Sequence, residues 1–178
     1  MIDLQKGIVA RDGLAPYSAA EVLEKNEKIA EKLANTDALI VCVHVKNYGS
    51  EALRPLTDTP AIMPTQVADA SDFAFPLAYD ETVKNVIHVK KHNWGAFHGT
   101  DLDVQLRRRG IDTIILTGIA TTIGCDTTAR EAIQHGYAVI AVEDAMTDFH
   151  AQFHKDDVEY IFKRLGKVRS TAEVLEMI

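Results

Sequence analysis

Apolar residues occur along this chain in two rhythms, and the rhythms alternate. Residues 38–45, 86–89, 111–117 and 138–142 are near-continuous apolar runs, the pattern of strands covered on both faces. Between them lie stretches of roughly helical period. Ser18-x-x-Glu21 is a capping box opening a helix whose Val22, Ile29 and Leu33 share a face. Further helices are predicted from 100–103 to the basic triplet Arg107, Arg108, Arg109 and Gly110, over 126–135 with Gly136 as cap, over 153–165, and after a Ser170-x-x-Glu173 box. Strand and helix in alternation are the signature of βαβ units, so the sequence predicts a doubly wound α/β domain on a parallel sheet. Residues 2–4 make a first strand and 167–169 a short edge strand. The periodicity lapses from Lys46 to about Asn85, where four of the five prolines fall, and a loop of that length usually serves function.

At 178 residues the chain matches about one typical domain, so residues 1–178 are read as a single unit. A hydrophobic share of 47% and a charged share of 25% are globular values. The net charge of −7 has the wrong sign for a protein that neutralises phosphates, which argues against nucleic acid and anionic membrane as partners. The arginine triplet fits the C-terminal turn of its helix. No apolar run approaches the roughly 18 residues of a membrane span, and the first residues do not read as a secretory leader. A cytoplasmic protein is the expectation. Cys42 and Cys125, without Cys-x-x-Cys spacing, read as free thiols.

Ligands of open α/β sheets bind beyond the carboxyl ends of the strands. Asp3, Lys91 and Cys125 lie at such ends. Singly, each has a bland reading: a satisfied strand-end carboxylate, a solvated lysine beside Lys90, a small core side chain. Together they offer a base, a cation and a nucleophile that can converge on one crevice. Cys125 stands where a helix begins, which favours its thiolate, whereas Cys42 lies mid-strand and reads as inert. Motifs for a serine hydrolase, a phosphate-binding loop or a dinucleotide site are missing. His150 with His154, and the scattered His88, His92 and His98, lack an acidic ligand at metal-binding spacing, so no metal is expected.

Ile2-Asp3-Leu4-Gln5, the segment from Lys91 through Trp94-Gly95-Ala96-Phe97 to Leu102, the segment Gly118-Ile119-Ala120-Thr121-Thr122-Ile123-Gly124-Cys125 with Thr128, Ala129, Arg130 and Ala132, and Glu143-Asp144-Ala145 together resemble the isochorismatase-like cysteine hydrolases. The resemblance implies a three-layer α/β/α fold with a six-stranded parallel sheet and a catalytic triad of Asp3, Lys91 and Cys125. It also implies a non-proline cis peptide at Ala120–Thr121 and a homo-oligomer, dimer or tetramer. The implied reaction is hydrolysis of a small amide or related carbon–nitrogen substrate through a thioester. Asp3 shuttles the proton, Lys91 favours the thiolate, and the N–H groups of Cys125 and Thr121 form an oxyanion hole. Trp94 and Phe97 are candidates for an apolar substrate wall, with core packing an equal reading for Phe97.

Two features depart from the family pattern. Only Met1 and Ile2 precede Asp3, where family members have several more apolar residues. The metal-binding Asp and His of nicotinamidases have no counterpart in His44-Val45-Lys46-Asn47-Tyr48, so no cofactor is expected and nicotinamide is expected to be a poor substrate. Two alternatives stay open: a vinyl ether hydrolase in which Cys125 is a bystander, and a non-catalytic binding protein on the same fold.

Overall fold

Five strands, all parallel, carry the computed structural model, which describes residues 1–46, 56–59 and 67–178. Parts of the Pro-rich excursion, 47–55 and 60–66, lie outside the described residues. β1 (Ile40–Val45) pairs with β2 (Val86–Lys91), Ile40 opposite Val86 and Val45 opposite Lys91. β3 (Thr113–Ile119) pairs with β4 (Ala138–Thr147), and β4 with the short edge β5 (Lys167–Arg169). Ile2 joins the two sheets, bridging Val43 of β1 and Gly118 of β3 in parallel with both. The six strands implied by the resemblance are therefore five among the described residues, plus this bridge. Asp3 gives the reason: its φ of 53° turns the backbone out of the extended region directly after Ile2.

Strand ends are set by side-chain partners as much as by apolar runs. β1 begins at Ile40 because the Asn85 amide takes the Ala38 carbonyl, along with that of Leu33. β4 outlasts its apolar run because Glu143 and Asp144 find partners. Tyr17 donates to Glu143 at 2.9 Å, and Thr171 and Lys25 hold Asp144.

Helices cover both faces of the sheet, making three layers. The short α1 (Lys6–Val9), absent from the expected pattern, follows the Asp3 turn. α2 (Ala19–Leu33) starts at the capping box read from sequence, and α7 (Thr171–Met177) starts at the second one. On their side Ile29 and Val174 pack on Ile140, Val142 and Ala145. On the other side lie α3 (Leu102–Arg107), α4 (Asp126–Gln134), and a helical run made of α5 (Ala151–Asp156), a π-helical turn (Asp157–Phe162) and α6 (Lys163–Leu165). Leu106, Ala132 and Phe162 bury there against Leu116, Val139 and Ala141. Among the described residues no helix is long and apolar enough to cross a membrane.

One polar side chain ties the α2 layer to the sheet. Asn26 is fully buried on the apolar face of α2. Its amide donates to Val22 O at 2.8 Å and to Ala145 O of β4 at 3.0 Å, and its oxygen accepts from the Thr117 hydroxyl of β3. Replacing it by an apolar residue strands a buried hydroxyl and a buried carbonyl, each costly to leave unpaired. Asn26→Leu is expected to lower stability by about 2–4 kcal/mol. Denaturant unfolding checks this as a lower midpoint with unchanged slope.

Candidate active site

The chain turns at Asp3 because both of its peptide groups are engaged. The Asp3 N–H donates to Val43 O at 2.9 Å, and its carbonyl accepts from Gln5 N–H at 2.8 Å. The Gln5 side chain then acts as a strand neighbour for the end of β1, accepting from Val45 N–H at 2.8 Å and donating to Val45 O at 3.0 Å. These bonds leave the Asp3 carboxylate pointing to the end of β2. There Lys91, 1% exposed, places its Nζ 2.8 Å from Asp3 Oδ2 and donates a second bond to the Trp94 carbonyl. A buried ammonium survives only with such partners. Asp3 Oδ1 is also buried but has no hydrogen-bond partner. Burial pushes the Asp3 carboxyl above the ordinary carboxylate range, against the opposing pull of Lys91.

Cys125 arrives from the end of β3. The non-proline cis peptide lies at Ile119–Ala120, one bond earlier than the expected Ala120–Thr121. Thr121 already belongs to a π-helical turn (Thr121–Cys125) that runs straight into α4, so the junction between strand and helix falls before it. The turn closes on the Ala120 carbonyl, which accepts from Ile123 N–H at 3.2 Å and from Cys125 N–H at 3.1 Å. The Cys125 N–H, expected as an oxyanion donor, is thus engaged in closing its own turn. Thr121 N–H donates to no described residue.

Two neighbours clamp this turn. Asp148, at the end of β4, accepts from both the N–H and the hydroxyl of Thr122 at 2.7 Å. His154 of α5 places Nδ1 2.8 Å from the Thr121 hydroxyl. Gly124 lies on the ion pair itself: a methyl group there would come within 2.9 Å of Ile2 Cγ2, 3.1 Å of Asp3 Oδ2 and 3.2 Å of Lys91 Nζ. Asp3, Lys91 and Gly124, the residue before Cys125, are therefore brought together, and both charges act on the Cys125 thiol. The Cys125 thiol is completely buried, and burial pushes it well up. The Asp3 carboxylate adds to that rise, while Lys91 and the N-terminal ammonium oppose it. The depressed thiol expected from the helix start is not found, because burial outweighs both the lysine and the turn.

The remaining candidates separate. Trp94 meets the site through its carbonyl, and its side chain is 65% exposed. Phe97 is not at a substrate wall: it is 6% exposed, stacks on His135 at 5.0 Å and sits beside Tyr137 in the core. Cys42 is buried in β1 with its thiol pushed up to about 11 by burial. His44 stacks on Phe73 at 4.8 Å with Nδ1 2.9 Å from Ser71 O, and His88 bonds Ala78 O at 2.7 Å. Among the described residues no three His, Cys, Asp or Glu side chains are grouped as a metal would require.

A family model described as Isochorismatase domain matches residues 1–173. The chain belongs to the isochorismatase family. The uncharacterized isochorismatase family protein YwoC of Bacillus subtilis is 43% identical over 184 residues, covering 100% of this chain and 92% of its own. YecD of Escherichia coli O157:H7, described in the same words, is 39% identical over 181 residues and covers 100% and 94%. The solved structure of an isochorismatase family protein from Burkholderia thailandensis superposes with a TM-score of 0.89 at 40% identity, covering 98% of this chain and 91% of that one. Isochorismatase-family proteins are hydrolases, and this family member is one.

Two outcomes follow from this geometry. In the folded protein Cys125 is expected to react slowly with iodoacetamide at neutral pH and faster as the pH rises, and to label readily once unfolded; peptide mass spectrometry against pH checks it. Gly124→Val drives two further carbons toward Ile2 and the ion pair. It is expected to cost about 1–3 kcal/mol and to abolish hydrolysis, with Gly124→Ala milder on both counts.

Proposed function

We propose that the protein hydrolyses a small amide or related carbon–nitrogen substrate through a thioester on Cys125. The observation that carries this reading is the unpartnered Asp3 Oδ1 inside a buried ion pair against which Gly124, the residue before Cys125, packs. A thiol pushed up by burial is protonated at rest, so attack needs a base at hand, and Oδ1 is a vacant acceptor. As sulfur bonds to the substrate carbon, Asp3 takes the thiol proton and Lys91 balances the charge that develops. Thr121 N–H receives the oxyanion, supported through its hydroxyl by His154. An amine leaves poorly unless protonated, and a carboxyl raised by burial is suited to return the proton to it as the carbon–nitrogen bond breaks. Water activated by Asp3 then cleaves the thioester, releasing the acid and restoring the thiol. The exposed Trp94 ring supplies an apolar wall at the rim.

One observation favours a second reading. A fully buried thiol with a raised pKa suits a bystander, leaving Asp3 alone to protonate a vinyl ether. A panel of small amides, ureides, hydroxamates and a vinyl ether, assayed with wild type, Cys125→Ala and Asp3→Asn, separates the two. Amide turnover is expected to fall by about a thousandfold or more in both variants, with an acyl adduct on Cys125 visible by mass spectrometry in the wild type. Full activity in Cys125→Ala on any substrate would sink the thioester route. Activity on the best amide is expected to survive dialysis against a chelator, and loss restored by zinc, manganese or iron would contradict the metal-free mechanism.

A further inference from the structure

A second π-helical turn, Asp157–Phe162, interrupts the helical run from α5 to α6. A cleft of about 770 Å³ joins it to the first. Thr122 lines that cleft from the turn that carries Cys125, Asp157, Glu159 and Tyr160 line it from the second turn, and Phe153 and Asp156 from α5. Turns of this kind are uncommon and recur at functional sites.

Asp157 is 8% exposed, and its Oδ2 is enclosed without a hydrogen-bond partner among the described residues. A carboxylate so placed lacks the donor that burial calls for. Its neighbours do not supply one. On α4, Arg130 is committed to Asp126, Nε to Oδ2 at 2.8 Å. At the end of β4, Asp148 accepts from Thr122. On its own helical run Asp156 accepts from Gln152 at 2.6 Å, and Glu159 adds a further negative charge. Burial pushes the Asp157 carboxyl up to about 7, with Asp126 and Asp148 adding to the rise and Arg130 opposing it.

The walls are aromatic. Phe153 and Tyr160 stand four residues before and three residues after Asp157, on one helical face, and are 53% and 62% exposed. Such rings hold cations over their faces, and Tyr160 already takes the Arg164 guanidinium at 3.9 Å. Among the described residues no three His, Cys, Asp or Glu side chains are grouped as a metal would require, so a divalent ion lacks its ligands. One buried carboxylate flanked by two rings matches a singly charged organic cation instead.

We propose that this cleft is a binding site for an alkylammonium or alkylguanidinium ion, whose charged head pairs with Asp157 while its alkyl stem lies against Phe153 and Tyr160. The head supplies the donor that the carboxyl lacks, and Asp156 and Glu159 add attraction. Because the head pairs with the ionised carboxyl, protons compete with it. The bound ion rests against Thr122, in the turn that carries Cys125.

The test titrates the protein with butylammonium chloride and with butylguanidinium chloride at constant ionic strength, by calorimetry and by amide chemical shifts, from about pH 6 to about pH 8. Butanol and magnesium chloride are the controls. Saturable binding that shifts Thr122, Asp157 and Tyr160 is expected, tightening about tenfold over that range as Asp157 ionises. His154, three residues before Asp157, does not set this window, because burial pushes its pKa down. His150, whose ring lies 4.7 Å from that of Phe153, is separated by Asp157→Asn, which is expected to bind about tenfold or more weakly at pH 8 and to lose the pH dependence. This variant keeps the side-chain shape and removes a buried charge, so its Tm is not expected to fall. Phe153→Ala, at an exposed ring, is expected to weaken binding about threefold. No saturable binding of either cation at pH 8 would overturn the proposal, as would equal affinity or undiminished pH dependence in Asp157→Asn. Butanol binding as tightly as the cations, or magnesium shifting the same residues at lower concentration, would overturn it too. None of these readouts needs a substrate or the Cys125 thiol, so they stand or fall independently of the thioester reading.

Discussion

A buried ammonium and a buried carboxylate, 2.8 Å apart, are the constraint around which the site is arranged. Neither group is tolerable alone in a space this dry, since an unpaired charge there would cost several kcal/mol. Each is therefore delivered by a device that leaves no freedom. Asp3 comes from a backbone turn with φ of 53°, fixed by bonds to Val43 and Gln5. Lys91 comes from the last position of β2, opposite Val45, and is tied to the Trp94 carbonyl. Gly124 packs so close to the pair that even a methyl group there would press on Ile2, Asp3 and Lys91. The position of Cys125 follows from that of Gly124.

The second constraint is the way β3 becomes α4. A π-helical turn carries the chain from Ala120 to Cys125 and spends the Cys125 N–H on its own closure. Its outer side is held by Asp148 and His154, from the end of β4 and from α5. The end of β3, the end of β4 and the helix α5 thus converge on one five-residue segment. In the proposed mechanism this clamping keeps Thr121 N–H directed at a developing oxyanion without reorganisation.

Much of this was legible in the sequence, and the failures have physical reasons. Capping boxes at Ser18 and Ser170 and apolar runs at 38–45 and 138–142 fixed helix starts and strand centres, because those signals are local. Strand ends were misplaced where Asn85, Tyr17 or Thr171 supplied a partner from a distant element. Asp3, Lys91 and Cys125 could be picked out as strand-end residues, but the state of the Cys125 thiol could not. Its environment depends on how much packs over it, which spacing does not report. Phe97 read as a wall or as core, and the stacking on His135 decides for core. Gly124, Asp148 and His154 carry no local signal that marks them as site residues. The spacing of His154 from His150 suggests only a metal ligand, not a partner for Thr121, and nothing local to Asp148 says that it holds Thr122.

The complete burial of Cys125 bears on kinetics as well as on acidity. A sulfur without accessible surface cannot meet a substrate carbon until the atoms over it part, so any reaction there is in series with an opening motion. The slower of the two steps sets the turnover. When opening is slower, chemically more reactive substrates would all be consumed at one common rate, and differences among them would show only for those sluggish enough to make chemistry the bottleneck. Selectivity at such a sulfur is then exercised first by the gate and only afterwards by the bond being broken.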